Sequence, residues 1–146
     1  MPVLVIPRGL PGSGKSTYAR ARASAADRTV VVSLDSLREM LKGSRKAFHK
    51  AKGSSQPKVS ASLTGVVVDT ALAMTESLLK AGYSVVYDAQ NLNLRGVEEL
   101  RKLAEECNAE VEVVPMPTLS LAELLERNLA RPKDDQVPEE YLVRQY

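Results

Sequence analysis

The chain has 146 residues, 44% hydrophobic and 26% charged, the balance of one soluble globular domain, which excludes disordered, collagen-like and coiled-coil classes. Twenty Lys and Arg against eighteen Asp and Glu give a formal net charge of +2, too small to argue for a nucleic-acid partner by itself. The single Cys107 cannot form an intramolecular disulfide, no aliphatic run approaches the ~20 residues that span a bilayer, and Met1-Pro2 enters Val3–Ile6 with no basic leader. The expectation is one cytoplasmic domain over residues 1–146, without membrane contact and with homo-oligomerisation left open.

A β-branched strand over Val3–Pro7 leads into Gly9-Leu10-Pro11-Gly12-Ser13-Gly14-Lys15-Ser16-Thr17, a full G-x-x-x-x-G-K-[ST] pattern that opens a helix over Lys15–Ala26. Glycines let backbone N–H groups curl around phosphates, and the helix N-terminus adds a favourable dipole. Gly9, Gly12, Ser13, Gly14 and Thr17 are therefore candidate nucleotide-binding residues. Lys15 reaches the β- and γ-phosphates, and Ser16 offers its hydroxyl to Mg²⁺. A GTPase would add D-x-x-G and N-K-x-D motifs; neither occurs, which disfavours that class.

A second strand over Thr29–Ser33 delivers Asp35 to the carboxyl end of the sheet, where open α/β folds bind ligands. Asp is a favoured N-cap, so its place at the start of a helix over Asp35–Leu41 has an ordinary explanation. A cap gives no reason for Arg38 one turn later on the same face. A carboxylate that receives a hydroxyl proton, paired with a guanidinium that holds an anion, accounts for both. Residues 42–58 then break the pattern with six Lys/Arg plus His49 and no acidic residue, and read as a basic surface loop.

A long helix over Val59–Ala81 follows, with Gly82 as a left-handed cap, and then a strand over Ser84–Tyr87 that ends in Asp88. Asp88 stands where P-loop proteins place a carboxylate near Mg²⁺; the plain alternative is a cap on the next turn. Helix Arg95–Cys107, cap Asn108 and strand Glu110–Val114 complete the alternation. It implies an α/β fold, a four-stranded, mainly parallel sheet with helices on both faces. A lid segment over residues 119–132 contains a helix over Leu119–Ala130, with Arg127 and Arg131 four apart on one face, and a last helix starts near Pro138. An ion pair from Glu123 to Arg127 and the helix dipole could account for these arginines; a triphosphate between them would satisfy both.

The strand plus GLPGSGKST, then SLDSLREML, YDAQNLN and MPTLSLAELLERNLARPKDDQVPEEYLVRQY occur in the order found in polynucleotide 5′-hydroxyl kinases. The chain resembles their kinase domain, especially the phage end-healing type, over nearly its whole length. The resemblance implies an adenylate-kinase-like P-loop NTPase with a C-terminal arginine lid, acting in nucleic-acid end repair with ATP or another NTP and Mg²⁺. It implies that Lys15 and Ser16 bind the phosphates and Mg²⁺ and that Asp35 is the general base for the 5′-OH of DNA or RNA. Arg38 would contact the phosphate on the 3′ side of the acceptor nucleotide, Asp88 would support the site, Arg131 assisted by Arg127 would act as lid arginine, and Val137 would lie against the donor base. Two departures stand out. Gln90 interrupts the expected D-x-N-L-N spacing, and phosphatase (D-x-D-G-T) and ligase (K-x-D-G) motifs are missing, so a stand-alone kinase is expected.

In that setting the basic loop gains a use: Lys46, Lys50 and Lys52 could track a nucleic-acid backbone, with Phe48 or His49 as a stacking face. A solvated charged loop is the plain alternative. Two rivals remain, a small-metabolite kinase on the same fold and a nucleotide-dependent RNA-binding module without transfer chemistry.

Overall fold

The computed structural model describes all residues except 44–46, 48–56, 118 and 146; for 57–62, 134, 141, 142 and 145 it describes the backbone alone. Lys46, Phe48, His49, Lys50 and Lys52 therefore lie outside the described residues. Four strands, β1 (Val3–Arg8), β2 (Thr29–Ser33), β3 (Ser84–Asp88) and β4 (Glu110–Pro115), form one all-parallel sheet in the order β2-β3-β1-β4. Helices α1 (Lys15–Ala25), α2 (Leu34–Lys42), α3 (Pro57–Lys80), α4 (Leu94–Glu106), α5 (Leu121–Leu129) and α6 (Glu139–Gln145) connect and follow the strands.

The topology itself locates the site. From β1 the chain crosses over β3 to reach β2, and from β3 it crosses over β1 to reach β4, in the opposite direction. Adjacent strands whose connections leave in opposite directions open a crevice at their carboxyl ends. Gly9–Thr17 follows β1 and Asp88 ends β3, so the two strongest motifs meet there.

Strand alternation divides the core between the two faces. Leu4, Ile6, Val85 and Tyr87 pack with Val67 and Ala71 of α3 and with Val97, Leu100 and Ala104 of α4. Val5 and Val86 point the other way, against Ala19 of α1, whose small side chain lets that helix lie close to the sheet. Hydrophobic periodicity in α3 appears as the buried stripe Val67, Ala71, Thr75 and Leu79, and Thr75 Oγ1 donates to the Ala71 carbonyl at 2.8 Å. Gly82 and Asn108 adopt left-handed φ values of 88° and 55°, as expected for caps.

Past Val5↔Val86 the join between β1 and β3 is carried by a side chain. Asn91 Nδ2 donates to the carbonyls of Pro7, Tyr87 and Ala89 at 2.7, 3.1 and 3.1 Å. The N–H of Gly9 donates to the Gln90 carbonyl at 3.1 Å, so the extra residue in D-x-N-L-N ties the exit of β3 to the start of the P-loop.

Candidate active site

The P-loop is shaped by close approach. A Cβ on Gly9 would come within 2.5 Å of Ser13 Oγ and 2.9 Å of Met116 Cβ. Gly14, at φ 100°, is the N-cap of α1 and brings no side-chain hydrogen bond to the helix start. Those N–H groups are arranged for an anion rather than for a capping side chain. The buried Ser13 Oγ, packed against Gly9, has no hydrogen-bond partner among the described residues.

Lys15 is only 8% exposed and donates from Nζ to the Leu10 carbonyl at 2.9 Å. Burial, reinforced by Arg131 and opposed by Asp88 and Asp35, pulls its ammonium pKa down to about 8. All four charges therefore share one site. Ser16 Oγ donates to Asp88 Oδ2 at 2.9 Å, so Asp88 is engaged with the P-loop rather than serving as a cap. Burial raises the Asp88 pKa, against the lowering by the Ser16 hydrogen bond and Lys15. The hydroxyl and carboxylate are hard oxygen donors of the kind Mg²⁺ takes beside substrate phosphates. Among the described residues no cluster of three or more His, Cys, Asp or Glu could hold a metal unaided.

The plain alternative for Asp35, a helix cap, does not hold. Ser33 is the N-cap of α2, and its Oγ accepts from Ser36 N at 3.2 Å. Asp35 sits in the first turn and pairs with Arg38 NH1 at 2.7 Å. Arg38 also lies near the buried Tyr87, whose phenol burial pushes up to about 12 and so keeps neutral.

The placement of both arginines on one helical face is corrected as well. Helix α5 ends at Leu129 with Ala130 as its cap, and Arg131 lies beyond it, where the following Pro132 disfavours the helical region. Arg127 donates from NH1 to the Gly12 carbonyl at 3.1 Å, while Glu123 donates its N–H to the N-cap Ser120 Oγ at 3.1 Å and accepts from that hydroxyl at 3.0 Å. Pattern reading did not assign Asn128: it is 6% exposed, one turn after the buried Leu124, and a polar residue on that apolar stripe was the available signal. Arg20, Lys133 and Arg144 also face the cleft and were likewise unassigned.

These elements enclose a cleft of about 1640 Å³. Lys15, Asp35, Arg38, Asp88, Arg131 and Val137 all line it, as do Gly12, Gly14, Ser16, Thr17 and Arg127. Gly9 and Ser13 support the loop from behind. Lys46 and His49 belong to residues outside those described.

The family model described as AAA domain matches residues 4–145. The chain belongs to that family. Its fold recurs in a chain of the Pnkp1/Rnl/Hen1 RNA repair complex, with a TM-score of 0.73 and 28% identity over 98% of this chain and 42% of that one. A candidate kinase from Chloroflexus aurantiacus shares the fold at a TM-score of 0.70 and 22% identity, covering 97% of this chain and 74% of that one. A chain of the PezAT toxin–antitoxin system of Streptococcus pneumoniae matches at a TM-score of 0.66 and 16% identity, over 91% and 57%. This AAA domain is thus of the P-loop kinase type and spans less than half the length of the RNA-repair chain it matches. No curated protein matches the sequence. No described helix is long and apolar enough to cross a membrane.

Proposed function

We propose that the protein is an Mg²⁺-dependent phosphotransferase that moves the γ-phosphate of ATP or another NTP to the 5′-OH end of DNA or RNA, in nucleic-acid end repair in the cytoplasm. One observation carries the reading: the Asp35–Arg38 pair, 2.7 Å apart, opens onto the same cleft as the P-loop Lys15. A protein that only binds nucleotide has no use for a carboxylate–guanidinium pair facing that space. The RNA repair complex that contains the 28%-identical relative supports RNA ends among the acceptors.

In the proposed reaction the P-loop N–H groups and Lys15 hold the donor phosphates. Mg²⁺, held through Ser16 and Asp88, would neutralise charge on the transferring group. Asp35 orients the acceptor hydroxyl and takes its proton late, since a loose transition state asks little of the base. Arg38 neutralises the next phosphate of the acceptor strand, and Arg131 with Arg127 stabilises charge on the donor. Val137 contacts the donor base.

Supplying γ-labelled ATP with 5′-OH DNA, 5′-OH RNA and a panel of small alcohols tests the proposal. Label at the oligonucleotide 5′ end is expected; label on a small alcohol alone would replace it with a metabolite kinase.

A further inference from the structure

The described residues contain a second set of polar contacts that the P-loop chemistry does not use, located where α5 ends. Asn128 is buried, and its carboxamide meets the backbone of Val137 on both sides: Nδ2 donates to the Val137 carbonyl at 2.6 Å, and Oδ1 accepts from the Val137 N–H at 2.7 Å. Gln136 Nε2 donates to the carbonyls of Leu129 and Arg131 at 3.2 and 3.0 Å. The N–H of Arg131 donates to the Asn128 carbonyl at 3.2 Å. Both backbone polar groups of Arg131 are therefore held, one by Asn128 and the other by the Gln136 side chain.

The segment between is short and stiff. Pro132 follows Arg131, and a single 3₁₀ turn over Lys133–Asp135 is closed by Asp135 N donating to the Pro132 carbonyl at 2.8 Å. Just before this loop α5 rests on the P-loop: a Cβ on Gly12 would meet Leu124 Cδ2 at 3.7 Å and Arg127 Cβ at 3.9 Å. The chain from Asn128 to Val137 is thus a loop with its ends stapled together and its base seated on the phosphate cradle. A loose backbone at this bend would add its own conformational entropy to the cost of ordering Arg131 on binding, and stapling removes that backbone share beforehand.

The geometry points to Asn128 and Gln136 as positioning residues that aim Arg131 at the donor phosphates and hold Val137 in the cleft. This rests on the proposed placement of a nucleoside triphosphate against Lys15 and Arg131, and it is independent of what accepts the phosphate. Neither amide touches the reacting atoms; both act through the backbone they hold. Asn128 sets the distance between α5 and residue 137, and Gln136 fixes the peptide that carries Arg131.

The test uses ATP alone, so that failure of the polynucleotide reading and failure of this one can be told apart. Basal Mg²⁺-dependent ATP hydrolysis and ATP affinity are measured for the wild type, Arg131→Ala, Gln136→Glu and Asn128→Ala, and for the Gln136→Glu/Arg131→Ala pair. Gln136→Glu keeps the size of the side chain and removes the donor; it should lower kcat at least fivefold with KM for ATP changed less than twofold. In the Arg131→Ala background it should change kcat by less than twofold, because it acts through Arg131. Asn128→Ala should lower kcat by tenfold or more and raise KM as well, since it also releases Val137. Wild-type kcat in Gln136→Glu, or an equal loss with and without Arg131, overturns the inference. If Asn128→Ala fails to fold, the Gln136 series decides alone. Intact non-additivity with no label on any oligonucleotide would leave the clamp standing and remove only the proposed acceptor.

Discussion

Lys15 is 8% exposed and hydrogen-bonded to the loop that presents it, whereas Asp35, across the same cleft, keeps 45% of its side chain in solvent and is steadied by Arg38 from its own helix. The donor end is assembled by backbone: left-handed glycines, the uncapped start of α1, the Asn91 strut between β1 and β3, and α5 resting on Gly12. The proposed acceptor end is assembled from two side chains on a nine-residue helix. Every triphosphate presents the same oxygens, so a rigid mould suits the first task. On the proposed function, polymer ends differ in base, sugar and strandedness, and an open, adjustable pair suits the second.

Substitutions at the donor end should therefore have the largest effects. Lys15→Ala is expected to leave no measurable transfer; retained turnover would break the phosphate assignment. Arg131→Ala should lower the rate by about 10³–10⁵-fold if it neutralises transferring charge, and a loss under tenfold would return it to a structural place at the end of α5. Both are read in single-turnover assays at saturating ATP.

Protonation sharpens the same contrast. The Lys15 pKa is lowered to about 8 by burial, so below that pH its ammonium is charged and grips phosphate, and above it the charge is lost. The affinity of the free protein for ATP should thus weaken as pH rises from about 7.5 to about 9.5, by at most about tenfold per pH unit for one linked proton. Calorimetric titrations across that range check it, and a flat profile contradicts the buried-ammonium geometry. For the basic segment, which lies outside the described residues, replacing Lys46, Lys50 and Lys52 with Ala should lower the salt slope of oligonucleotide binding by about 0.7–0.9 for each phosphate that is no longer neutralised. An unchanged slope moves the polymer path elsewhere.

The smallest effect separates cap from chemistry. Ser33→Ala should cost about 0.5–2 kcal/mol of stability in a denaturant titration and leave transfer near wild type. If Ser33→Ala instead abolished transfer at full stability, the division between Ser33 and Asp35 would fail.

What was legible beforehand follows the range of the interactions involved. The four strands appear within a residue or two of the β-branched runs: β1, β2 and β3 because strands covered on both faces are apolar nearly throughout, and the edge strand β4 through its alternation of exposed Glu110 and Glu112 with Val111 and Val113. The P-loop is readable because its glycines, lysine and hydroxyl act within nine consecutive residues. Asn91, Asn128 and Gln136 were not readable in this way. Their partners are backbone carbonyls and N–H groups, which carry no residue identity, and Asn91 reaches Pro7 across 84 positions. The Arg127–Arg131 spacing suggested one helical face because the pattern looks periodic, but the helix ends at Leu129, before Arg131. A cap stayed open as the plain alternative for Asp35 because caps and first-turn acids share the same composition, and only geometry shows that Ser33 fills that position.

The most direct measurement compares the wild type with Asp35→Asn, following γ-label transfer to a 5′-OH oligonucleotide and ATP affinity in parallel. The expected result is a rate about 10²–10⁴-fold lower with ATP affinity within twofold of wild type. Undiminished labelling by Asp35→Asn would contradict the assignment of that carboxylate to the incoming hydroxyl.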